Sequence, residues 1–143
     1  MQGEKKSFAE KHPSSAVVDE ALKQRLDEEA REGVFPCRRA EKLAADLGIP
    51  LGEIGKALDL LGIKIVHCQL GLFGYPPHGR IVQPAPAVAP ELANAIEKAL
   101  ISGHLPCEKA WLIAEDFKMP RIDVASACEC LKVKIKPCQL GAF

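Results

Sequence analysis

Six cysteines stand among the 143 residues, and four of them form a pattern: Cys37 and Cys68 recur seventy positions on as Cys107 and Cys138. Thiolates are soft ligands for zinc and iron–sulfur clusters, so four repeated thiols raise metal chemistry first. The spacing argues against it. Thirty residues separate the members of each pair, and no CxxC pair starts a metal knuckle. Cys128 and Cys130 are two positions apart, which on a helix turns their side chains about 200° from each other. Buried, apolar thiols are the favoured account of all six. Zinc, an iron–sulfur cluster or a reversible redox pair at Cys37, Cys68, Cys107 and Cys138 is the alternative. His12, His67, His78 and His104 show no HxxxH-like ligand spacing. The sequence also lacks a phosphate-binding glycine loop, a nucleophile elbow and a recognisable carboxylate pair, so no enzyme is expected.

The remaining chemistry belongs to cations. Arg38 and Arg39 stand together, with Lys42 one helical turn later, and Lys56, Lys64, His78 and Arg80 come after them. Over the whole chain, nineteen basic residues balance nineteen acidic ones. A protein built to coat nucleic acid or an anionic membrane normally carries a clear excess of Lys and Arg. The segment before Gly33 leans acidic and the rest leans faintly basic. No apolar run reaches the length of a membrane span, and the first residues lack the apolar core of a secretory signal. A cytoplasmic protein with reduced thiols is expected.

The elements that must carry these residues are laid out by an internal repeat. Gly33–Phe73 lies over Gly103–Phe143 without a gap, with sixteen identities in forty-one positions. Substitutions such as Leu43 to Ile113 and Ile54 to Val124 keep the side-chain type, so a packing plan has been copied. Each copy is preceded by a helical stripe. The first is Val18, Leu22, Leu26 and Ala30, capped by Ser15; the second is Leu92, Ile96 and Leu100, opened by Pro90. Residues 33–36 read as a short extended piece. A second helix over 37–47 carries Ala40, Leu43, Ala44 and Leu47 on one face, and Gly48 ends it in a left-handed conformation. A third, over 51–61, carries Leu51, Ile54, Leu58 and Leu61 inward and turns Gly52, Glu53, Gly55, Lys56 and Asp59 outward. From Ile63 the period changes to two, which predicts a strand running to about Phe73. A turn at 74–79 and a return strand at 80–83 would complete a β-hairpin.

In Ala40, Leu43, Ala44, Gly48, Ile54, Leu58, Leu61 and the 63–65 strand, each copy resembles the winged helix-turn-helix domains of bacterial transcription regulators. The resemblance implies a mainly α fold with short β-hairpin wings, in two tandem domains. It also implies a third helix in the DNA major groove and a wing on the flanking backbone. The expected organisation is a lead-in at 1–14, a first domain at 15–83, a proline-rich linker at 84–87 and a second domain at 88–143 with a shortened wing. The function it implies is double-stranded DNA binding in transcription regulation. Arg38, Arg39 and Lys42 would contact phosphates at the start of the second helix, with Gly52, Glu53 and Lys56 in or near the groove and Lys64, His78 and Arg80 around the wing. The second copy has Glu108 and Lys109 in place of the arginine pair, and its third helix presents Ile122, Asp123, Ala125, Ser126 and Glu129. It is assigned to packing or to a homodimer or other protein interface, with Trp111 a packing residue. The alternatives are a winged-helix interaction module and a cysteine-based redox or metal sensor.

Overall fold

The computed structural model describes residues 20–30, 32–77 and 79–142. Helices α1 (Glu20–Glu29), α2 (Cys37–Leu47) and α3 (Leu51–Leu61) are joined by strands β1 (Val34–Pro36) and β2 (Lys64–Val66). The same order returns as α4 (Pro90–Ala99), β3 (His104–Leu105), α5 (Cys107–Phe117), α6 (Arg121–Leu131) and β4 (Lys134–Ile135). The architecture is mainly helical with two small sheets, an α+β arrangement. The lead-in at 1–14 and the helix start expected at Ser15 lie outside the described residues.

The helix ends are set by local chemistry. Pro36, Pro50, Pro106 and Pro120 stand at the N-caps of α2, α3, α5 and α6 with extended backbone. Proline there pre-sets φ without forfeiting a helical hydrogen bond. Gly48 closes α2 at φ 66° and Gly62 closes α3 at φ 72°, as the first copy's glycines predict. The second copy makes the same closures with Lys118 at φ 53° and Lys132 at φ 60°, where a Cβ is strained.

Each sheet is a parallel pair. Val34, Phe35 and Pro36 register with Lys64, Ile65 and Val66; His104 and Leu105 register with Lys134 and Ile135. The helical pair between the strands serves as the crossover that parallel strands need. Buried Leu26, Phe35, Leu43, Ile54 and Leu58 centre the first unit. Leu92, Ile96, Leu105, Ile113 and Val124 belong to the buried cluster of the second, with Trp111 packed against it.

Among the described residues, the hairpin expected over 63–83 reduces to one antiparallel bridge, Tyr75 with Gly79, and no return strand pairs with β2. β2 stops at Val66 because His67 turns left-handed at φ 53° and Gly71, Gly74 and Gly79 also take positive φ. Period-two alternation cannot persist through such residues. The chain instead makes a tight turn, with Gly71 N–H donating to Cys68 O at 2.9 Å. Residues 80–83 do not return along β2; Ile81 and Val82 N–H both donate to Gly71 O, at 2.9 and 3.2 Å. Two compact units meet in the sequence between Val66 and His67, so that Cys68, Leu70 and Val82 belong to the second unit's core.

Replacing Lys118 or Lys132 with Gly removes the left-handed strain at a modest entropic cost. Each variant is expected to gain roughly 0.5–1 kcal/mol in chemical denaturation, whereas Gly48→Ala and Gly62→Ala lose stability.

Candidate functional site

In the first unit, α2 begins without a side-chain cap, and Arg38 and Arg39 on its first turn are exposed. Neither has an ion-pair partner among the described residues. Lys42, one turn on, is exposed and reaches Asp46 at 3.4 Å. Such an i,i+4 surface pair is weak, on the order of 0.3–0.5 kcal/mol, and leaves Lys42 accessible. On α3, Gly52 and Glu53 are exposed and Lys56 is half-buried. Glu53 and Lys56 also line the groove between α1 and α3 with Leu22, Ile49 and Leu60. Lys64 opens β2 with its side chain exposed. Gly55 and Asp59, expected outward, are buried. Each stands directly after an inward residue, Ile54 or Leu58, so the inward stripe of α3 is one column wider than the apolar residues indicate.

The remaining two members of the expected set are His78 and Arg80. His78 lies outside the described residues. Arg80 belongs to the second unit, where its guanidinium pairs with Glu129 at 2.8 Å.

That ion pair is one of several contacts by which residues 68–85 lie along α6. Arg121 Nη1 donates to Gln69 Oε1 at 2.9 Å, and the same guanidinium stacks over the Trp111 ring at 3.8 Å from its centroid. Gly71 faces Ile122 so closely that a Cβ there would sit 2.7 Å from Ile122 Cδ1. Further along, Ala85 N–H donates to Ser126 O at 2.9 Å. The face of α6 expected to be presented outward is therefore largely occupied by the chain's own strap: Ala125 is buried and Ile122, Ser126 and Glu129 are half-buried. Sequence patterns do not single out the residues that build this seam. The available signal is the retention of Gln69 and Gly71 in both copies.

No protein-family model, curated protein or solved structure matches this chain. No helix among the described residues is long and apolar enough to cross a membrane.

The cysteines are all free thiols. Cys107 meets the Cys138 segment, its N–H donating to Pro137 O at 3.0 Å and its Sγ accepting from Gln139 Nε2 at 3.6 Å. Cys68 lies in the second unit's core. Burial pushes its thiol up, and the nearby Cys138 adds to the effect. Burial likewise pushes Cys107 and Cys128 up to about 12. Such thiols stay protonated near neutrality and are poor nucleophiles. No three His, Cys, Asp or Glu among the described residues are grouped to hold a metal ion.

Gly71→Ala is expected to cost roughly 1–3 kcal/mol, from the clash with Ile122 and the positive φ together. Adding Ile122→Ala in a double-mutant cycle should recover only the steric share. In the thiol case, the folded chain holds protons on Cys107 and Cys128 that the unfolded chain releases near the ordinary value of 9.0. Stability contributed by neutral thiols is complete below pH 9 and is lost as pH rises toward 12. The slope is about 1.4 kcal/mol per pH unit per thiol. Denaturation series between about pH 8 and 11 should show that decline, made shallower by Cys107→Ala.

Proposed function

We propose that the chain binds double-stranded DNA through its first unit, as a regulator related to the winged helix-turn-helix proteins in its helical part, with no return strand on β2 among the described residues. The observation that carries this reading is the divergence of the two copies at matching positions. Where α5 begins with Glu108 and Lys109, α2 carries Arg38 and Arg39, exposed and without ion-pair partners among the described residues. Where α6 opens with Arg121 and Ile122 to hold the strap, α3 opens with Leu51 and Gly52, and Gly52 and Glu53 are exposed. Phosphates meet the first turn of α2, where the positive helix end adds to the guanidinium charges, and Lys42 and Lys64 extend the contact. Gly52 permits close approach of a sugar–phosphate backbone. This set supplies affinity and register more than base recognition, because α3 offers one lysine and no arginine, asparagine or glutamine to base edges.

A protein-docking role for the same surface is the second reading, favoured by the balanced charge of the chain. In fluorescence anisotropy with genomic fragments at about 0.15 M salt, the double variant Arg38→Ala, Arg39→Ala is expected to lose affinity. The slope of log affinity against log salt should fall by about 1.8, two phosphate contacts' worth. An unchanged slope on a folded variant removes the phosphate assignment and shifts the reading to a protein partner.

A further inference from the structure

The strap does not lie flush on the second unit. Between Leu72 and Phe73 of the strap, the outer side of α6 and strand β4 there is a cavity of about 290 Å³. Its walls divide by chemistry. Leu72, Phe73 and Ile135 supply apolar surface, while Arg80, Glu129 and Lys134 stand together as its polar groups. Two cations face one carboxylate, so the site carries an excess positive charge. Arg80 meets Glu129 through Nη2, at 2.8 Å, and a five-donor guanidinium fork can hold a second carboxylate alongside the first. Lys134, the first residue of β4, is exposed. Apolar lining with a few convergent polar groups is the usual composition of a small-molecule site, and this volume lies at the small end of the ~300–1,000 Å³ such sites span.

We propose that this seam binds a small apolar carboxylate. The anionic head is held between Arg80 and Lys134, and a flat hydrocarbon body lies against Leu72, Phe73 and Ile135. A cationic ligand is refused by the two side chains, and a neutral one leaves their charge unmatched. Because the ligand touches the strap on one side and α6 and β4 on the other, it favours the strap-bound state by mass action. The inference is independent of DNA binding by the first unit, since every residue of the cavity belongs to the second unit.

The test is a titration of the full chain with 2-naphthoate, followed by amide chemical shifts and by calorimetry, with 2-naphthamide as the uncharged isostere. Saturable shifts concentrated at Leu72, Phe73, Arg80, Lys134 and Ile135 are expected, and the amide should bind at least tenfold more weakly. Lys134→Ala, at an exposed position, is expected to weaken naphthoate about tenfold without unfolding the chain. Glu129→Gln removes the competing carboxylate and should tighten binding several-fold, whereas a Glu129 that served only to pin the strap would give weaker binding on replacement. Equal binding of acid and amide, an unaltered Lys134→Ala, or no saturation up to the solubility limit of naphthoate each overturns the proposal.

Discussion

Each copy of the repeat is closed by a two-strand parallel pair, and the rest of the copy is arranged to permit it. Phe35 and Ile65 are register partners and both are buried; Leu105 and Ile135 repeat the contact. Parallel neighbours cannot be joined by a short turn, so everything between them must travel out and back. Two eleven-residue helices do this. The turn between them is sharp because a left-handed residue ends the first and a proline opens the second. Left-handed closure is costly for any residue but glycine, yet the second copy keeps it with lysines. The demand of the strand pair therefore outweighs the local preference.

The same pair constrains the segment beyond it. In both copies the chain reverses directly after the second strand, with Gly71 N–H on Cys68 O at 2.9 Å and Gly141 N–H on Cys138 O at 3.0 Å. Cys68–Gly71 is built for that reversal. The Cys68 Sγ accepts Leu70 N–H at 3.4 Å, Gly71 takes φ 75°, and the Tyr75 hydroxyl donates to Cys68 O at 2.8 Å. Cys138–Gly141 repeats the turn, with Leu140 N–H on Cys138 Sγ at 3.3 Å and Gly141 at φ 81°. The turn is thus a property of its four residues. Its docking is not, since the Arg121 and Ile122 that receive the first turn on α6 have no counterpart in Leu51 and Gly52 of α3.

This distinction accounts for what could be read from the sequence. The bounds of α2, α3 and α6, the extended piece before α2 and the closures at Gly48 and Gly62 depend on residues within a few positions of one another, whereas α4 ends at Ala99, short of the Leu100 counted in its apolar stripe. Periodicity and glycine placement carry that information directly. Strand direction does not reside in the strand. Ile63 and Ile65 alternate as they would in a hairpin or in a parallel pair, and His67, Gly71 and Gly74 beyond them decide between the two. The burial of Gly55 and Asp59 escaped for a related reason: a glycine or an aspartate on a helix is read as outward by type, although neighbouring columns of a helix share a packing surface. The strap on α6 was least legible. A loop-to-helix fit made of one amide, one glycine and one ion pair has no period, and only the duplication of Gln69 and Gly71 hinted that the segment was more than a connector.

A net charge of zero is weak evidence about partners when the charges differ in availability. Of the second unit's cations the two arginines are engaged, Arg80 by Glu129 and Arg121 between Gln69 and the Trp111 ring, while Lys118, Lys132, Lys134 and Lys136 are exposed. In the first unit Arg25 is engaged by Glu29 at 3.0 Å, but Arg38 and Arg39 remain exposed at the end of α2 where the helix dipole is positive. A partner approaching within a Debye length, about 8 Å at physiological salt, meets that local arrangement and not the sum over 143 residues. Duplication supplied two equivalent frameworks, and divergence at a few first-turn positions gave one a surface committed to its own chain and the other a surface with available positive charge. The division of labour proposed for the two units rests on that difference, which no whole-chain average reports.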